Sequence, residues 1–249
     1  MAALLLEKGN AVPFERLVLA LWDDPPPASA AKNLRLYVSQ LRRQLRAADP
    51  SLGDCLATLR GGSGSGYRLT VDPGDVDVHR FAWLADRGFQ ALRRGSYPDV
   101  IIELGLAIQL WKGSVGQDCR ASARLRARFD KFAELSLVAQ ERLIEAKLAL
   151  GYSMELISDI LSVIDQDPLR EHGWGHLMCA YYFGGYPDKA YVAYGQLHEK
   201  LESQLGREPS QDLNALRYAI SHDDRRFVRQ WRFGNGEFPS NRAKIAKKY

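Results

Sequence analysis

The segment Leu150-Gly-Tyr-Ser-Met-Glu155 returns as Gly184-Gly-Tyr-Pro-Asp-Lys189, with Gly151 and Gly185 34 residues apart. A third copy, Gly95-Ser-Tyr-Pro-Asp-Val100, has its tyrosine 55 residues before Tyr152: one period plus an insertion of 21, placed at the irregular stretch around residues 111–119. A fixed period of this length marks helix pairs that cannot bury their apolar faces alone and stack on their neighbours, leaving a concave surface for partners. Residues 76–221 are therefore expected to form an all-α array.

The front of the chain follows a different pattern. Phe14, Leu17, Val18 and Leu21 give Pro13–Trp22 the i, i+3, i+4, i+7 stripe of an amphipathic helix, with proline in its first turn. Pro25, Pro26 and Pro27 supply no backbone donors and stop it, and Ser29 is a cap for the next helix. That helix is expected over Ala30–Ala48, with Leu34, Val38, Leu41 and Leu45 facing inward. Lys32, Leu36, Ser39 and Arg43 lie opposite that stripe, while Arg35, Arg42 and Arg46 flank it. Residues 28–46 carry five basic side chains and no acid, so the arginines lack the i, i+4 carboxylates a solvated helix usually provides, which favours a polyanion partner. Cys55–Arg60 and Tyr67–Val71 read as two strands joined by a glycine-serine loop, Gly61–Gly66. No Gly-Lys-Ser/Thr follows that loop and a strand comes next, so it is a hairpin tip rather than a phosphate cradle.

Helix, long loop, basic helix and a hairpin ending in Gly66-Tyr67-Arg68-Leu69 resemble the OmpR-type winged helix-turn-helix. The wording ERLVLALWDDPPPASAAKNLRLYVSQLRRQLR is similar to that of the Streptomyces antibiotic regulatory proteins. DVDVHRFAWLADRG, AIQLWKG and GQLHEKLESQLGREPSQDL resemble the bacterial transcriptional activation domain that follows the winged helix in that family. The resemblance implies a mainly α fold: a winged helix-turn-helix over residues 1–72, then a tetratricopeptide-like domain over 76–221. It implies several β-strands ahead of the first helix; the chain opens inside that helix, near Met1–Gly9, so the winged domain is expected to be amino-terminally incomplete. It makes residues 30–46 the recognition helix in the major groove, with Lys32, Arg35, Leu36, Ser39, Gln40, Arg42, Arg43 and Arg46 at the DNA and Thr58 and Arg60 on the wing.

The implied function is activation of a secondary-metabolite, or antibiotic, biosynthetic gene cluster. The implied partners are double-stranded promoter DNA, RNA polymerase and a second copy on direct repeats. The alternative is a helical interaction module whose shortened winged domain no longer binds DNA. No P-loop is spelled, no local catalytic set is evident, and no cofactor or enzymatic activity is expected.

No apolar run approaches the roughly 20 residues of a membrane span, and a cytoplasmic protein without membrane contact is expected. Cys55, Cys119 and Cys179 are widely spaced and are read as reduced, buried thiols. His172, His176 and Cys179 share a helix face, yet the glycines of HGWGH weaken a rigid site and no fourth ligand is evident, so no metal is expected. Trp174, Tyr181, Tyr182, Phe183, Tyr186, Tyr191 and Tyr194 are read as repeat core rather than a base-stacking platform. Residues 222–249 hold eight Lys/Arg against three acids and are read as a disordered basic tail.

Overall fold

Helical periodicity fills most of the chain, and the computed structural model, which describes residues 1–61, 64–113, 115–119 and 121–231, follows it. Its described α-helices are α1 (Ala2–Leu5), α2 (Phe14–Leu21), α3 (Ala30–Ala48), α4 (Asp77–Arg93), α5 (Tyr97–Gln109), α6 (Ala123–Ala149), α7 (Ile157–Gln166), α8 (Glu171–Phe183), α9 (Pro187–Leu205), α10 (Gln211–Ser221) and α11 (Arg225–Gln230). The strands are β1 (Val12–Pro13), β2 (Leu56–Gly61) and β3 (Gly64–Leu69). The described residues divide into two units, one of residues 1–83 and 110–135, the other of 84–109 and 136–231.

In the first unit the strands form one antiparallel sheet in the order β1-β3-β2, with Tyr67 opposite Val12 on one side and Thr58 on the other. Pro13, read as the first turn of a helix, instead ends β1 and stands at the N-cap of α2. β1 also explains Gly66, because a Cβ there would lie 2.5 Å from the Val12 carbonyl oxygen. The glycine-serine stretch is thus partly strand: Gly64–Gly66 belong to β3, while residues 62 and 63 of the expected tip lie outside the described residues. α3 begins and ends where its apolar stripe predicts and buries Ala30, Leu34 and Val38. Ser29 stands at its N-cap, but the hydroxyl accepts from the Asn33 side chain at 3.2 Å and not from a backbone N–H.

Residues 110–135, which include the irregular stretch around 111–119 expected to hold the insertion in the repeat, pack in this first unit. The Ser122 hydroxyl donates to the Leu19 and Ala20 carbonyls at the end of α2, at 2.8 and 3.0 Å. Asp23 accepts from the Ala123 backbone N–H at 2.7 Å. Arg128 pairs with Glu7 at 2.5 Å and donates to the Leu6 carbonyl at 3.1 Å. Free carbonyls at a helix end need partners, and α2 finds them about a hundred residues downstream.

The second unit shows why the glycines recur. Gly95, Gly151 and Gly185 all have positive φ, at 71°, 96° and 85°. In each copy the next residue donates back to a carbonyl five residues earlier: Ser96 to Ala91, Tyr152 to Lys147 and Tyr186 to Tyr181. This left-handed helix ending is one that glycine adopts without a steric penalty. The shared backbone does not share burial: Tyr152 and Tyr186, expected inside, are 46% and 48% exposed. Of the aromatic run, Trp174, Tyr182 and Tyr194 are buried and Tyr181 and Phe183 pack against the core, whereas Tyr186 and Tyr191 face outward.

The core of this unit is drawn from α6 to α11, with Ile160, Met178, Leu197, Leu201, Leu213 and Leu216 fully enclosed. Val228 and Trp231 are buried in it, so the expectation of a disordered tail from residue 222 is corrected as far as Trp231. Residues 232–249 lie outside the described residues. Cys179 is buried and Cys55 half-buried, but Cys119 is exposed, against the expectation for all three. No described helix is long and apolar enough to cross a membrane.

Candidate nucleic-acid interface

α2, an eight-residue connection and α3 form a helix-turn-helix, joined by the Leu17 and Leu34 interior and by stacking of Trp22 on Tyr37 at 6.2 Å. Tyr67 of β3 packs against Phe14 at the start of α2, at 6.4 Å, which seats the β2–β3 hairpin beside the two helices. This frame holds α3 with one face on the core and the other in solvent.

The ten sequence-predicted site residues separate into two groups. Lys32, Leu36, Ser39, Gln40 and Arg43 are exposed on the side of α3 away from Leu34 and Val38. The polar four make no side-chain hydrogen bond or ion pair with the described residues. Arg60 is likewise exposed, at the β2 end of the hairpin opposite Ser65.

The second group is engaged inside the unit. Arg42 is half-buried, with Nε donating to the Leu56 carbonyl at 2.8 Å and an Nη to the Thr58 hydroxyl at 2.7 Å. Both acceptors lie on β2, so Arg42 fastens α3 to the hairpin and Thr58 is its partner. Arg35 lies over the Phe14 ring, 5.1 Å from its centroid, in a cation–π contact. Arg46 stands 3.6 Å from Asp54, whose side chain is fully solvent-exposed. Such an exposed ion pair contributes little and leaves the guanidinium available to a phosphate.

Sequence reasoning did not find the residues that brace this frame from below. Ser122, Arg128 and Asp23 fix α1 and α2, and His79 is buried with Nε2 donating to the Leu5 carbonyl at 2.6 Å. Burial holds the His79 ring below the usual histidine range, and the cations Lys8 and Arg128 add to this, against the Leu5 hydrogen bond and Asp77. No periodic pattern marks these positions, since each partner lies far away in the chain.

Residues 76–221 match the family described as bacterial transcriptional activator domain, and residues 1–69 match transcriptional regulatory protein, C terminal. Among similar proteins, Regulatory protein DnrI of Streptomyces peucetius is 32% identical over 89% of this chain and 82% of its own length. Transcriptional regulatory protein MoaR1 of Mycobacterium tuberculosis is 31% identical over 88% of this chain and 70% of its own. The solved structure of Mycobacterium tuberculosis EmbR in complex with a low-affinity phosphopeptide superposes with a TM-score of 0.80 at 26% identity, covering 98% of this chain and 61% of that one. A winged helix-turn-helix followed by an activator domain, in that order and over nearly the whole chain, makes this protein a member of the Streptomyces antibiotic regulatory protein family of transcriptional activators.

Proposed function

We propose that the chain binds promoter DNA through α3 and activates transcription of a secondary-metabolite gene cluster from the cytoplasm, with no catalytic step of its own. The observation that carries this reading is the outward face of α3. Lys32, Ser39, Gln40 and Arg43 project from one side of a braced helix with no partner among the described residues. A helix of this diameter fits the major groove, where arginine and glutamine read guanine and adenine edges and lysine neutralises phosphates. In this reading Arg60 on the hairpin and Arg46 at the end of α3 hold the DNA backbone, while Arg42 and Thr58 fasten α3 to the hairpin and Arg35 packs it on Phe14 of α2. RNA polymerase and a neighbouring copy on a direct repeat are the proposed protein partners, as the family resemblance implies.

The test is selection from a randomised duplex pool with the purified 249-residue protein, followed by gel-shift titration of the selected site. An enriched sequence bound more tightly than random DNA is expected. Arg43→Ala should weaken it and lower the salt slope by about 1. Failure to enrich any sequence, with equal affinity for all duplexes, would overturn the reading in favour of a protein-interaction module.

A further inference from the structure

Leu36 occupies a position that packing does not explain. It lies about 160° around α3 from both Leu34 and Val38, which places it close to the point farthest from the core. It is 50% exposed. An exposed leucine is by itself ordinary on a protein surface. What distinguishes this one is its setting: the residues one turn away on the same helix are Lys32, Asn33, Ser39 and Gln40, with Arg43 two turns on, so no apolar neighbour on the helix face shelters it. A large aliphatic side chain stands among polar residues, of which Lys32, Ser39, Gln40 and Arg43 have no side-chain partner among the described residues and Asn33 donates to Ser29.

We infer that Leu36 is a specificity-determining residue that packs on the 5-methyl group of a thymine in the major groove. The inference rests on the DNA-binding reading of α3 above. In the major groove, thymine alone among the four bases presents a methyl group, and an apolar side chain distinguishes it by contact rather than by hydrogen bonding. Gln40, one turn further along the same face, supplies the paired donor and acceptor that suit an adenine edge. Leu36 and Gln40 together therefore select a thymine with a nearby adenine within the bound site.

Substitution of single thymines by deoxyuridine in the selected duplex isolates the methyl group, because uracil keeps every hydrogen-bonding edge. For the wild-type protein, one such substitution should weaken binding about fourfold, the equivalent of one buried methyl group, and the others should have no effect. Leu36→Ala should bind the thymine and deoxyuridine duplexes equally while keeping the wild-type salt slope and melting temperature. If the wild-type protein selects a sequence but tolerates deoxyuridine at every thymine, or Leu36→Ala retains the fourfold penalty, the inference fails and the DNA-binding reading stands. If no sequence is selected at all, the DNA-binding reading fails first and takes the inference with it.

Discussion

Trp231 lies directly on Gly175: a Cβ at that glycine would fall 2.0 Å from Cη2 of the indole. The two glycines of HGWGH, which by sequence only weaken a helix, are thus sites of close approach. A Cβ at Gly173 would fall 2.9 Å from Ile164 on α7. The indole N–H is also placed, donating to the Asp212 carbonyl at 3.1 Å.

Gly175→Ala is therefore expected to destabilise the second unit by ~1–3 kcal/mol through overpacking, despite alanine's better helix propensity. Combining it with Trp231→Ala should cost clearly less than the two single losses added together, because the clash disappears with the ring. Chemical denaturation of the four proteins checks this. Full additivity would show that the two residues do not press on one another.

Arg42 and Arg43 are adjacent in sequence but should behave oppositely. Arg42→Ala removes two charge-assisted hydrogen bonds to β2 and should lower stability by ~1–3 kcal/mol, with weaker DNA binding as a consequence. Arg43→Ala should leave the denaturation midpoint unchanged and reduce only affinity and salt dependence. Equal effects of both substitutions on stability would contradict the division of the basic face.

Ser122→Ala leaves the final carbonyls of α2 without their side-chain donor in a buried position and should cost ~1–3 kcal/mol. Hydrogen exchange resolves where that loss falls. Faster exchange is expected in α2 and the first turns of α6, and unchanged protection in α8 and α9 would localise the effect to the first unit.

His79 makes stability depend on pH in a defined direction. Its folded ring resists protonation, whereas the unfolded ring takes a proton near 6.5, so the unfolded state binds more protons below that value. Stability contributed by this group should be level above about pH 6.5 and fall as the pH drops below it, until the lowered folded value is passed. Urea midpoints measured from about pH 5 to about pH 8 should show this slope in the wild type and a reduced one in His79→Gln. An identical slope in both proteins would assign the effect elsewhere.

The parts of the fold that were legible in the sequence are those set by local rules. The stripe from Leu34 to Leu45 gave α3 its full span, and the glycines at 95, 151 and 185 marked the repeat, although that each ends a helix in a left-handed conformation emerged only from the backbone. Repeat equivalence fixed the backbone at Tyr152 and Tyr186 but not their burial, because burial depends on what the neighbouring helix presents there. The outward face of α3 was also legible, since it is the complement of the apolar stripe. Arg42 was not, because a basic residue on the flank of a helix is equally suited to a phosphate and to a carbonyl of β2. β1 was hidden because two residues are too few for alternation to show, and α11 because one buried valine and one tryptophan lie within a basic stretch.

The pairing of Glu7 with Arg128, separated by 121 positions, sets an order of events during synthesis. A ribosome that has released only the first eighty or so residues has released α3 and its hairpin but not Ser122, Asp23's partner at Ala123, or Arg128. Contacts so distant in the chain form slowly compared with the helical turns of α3, whose hydrogen bonds are local. The first unit is thus held by its full set of contacts only once the chain has been made as far as Arg128.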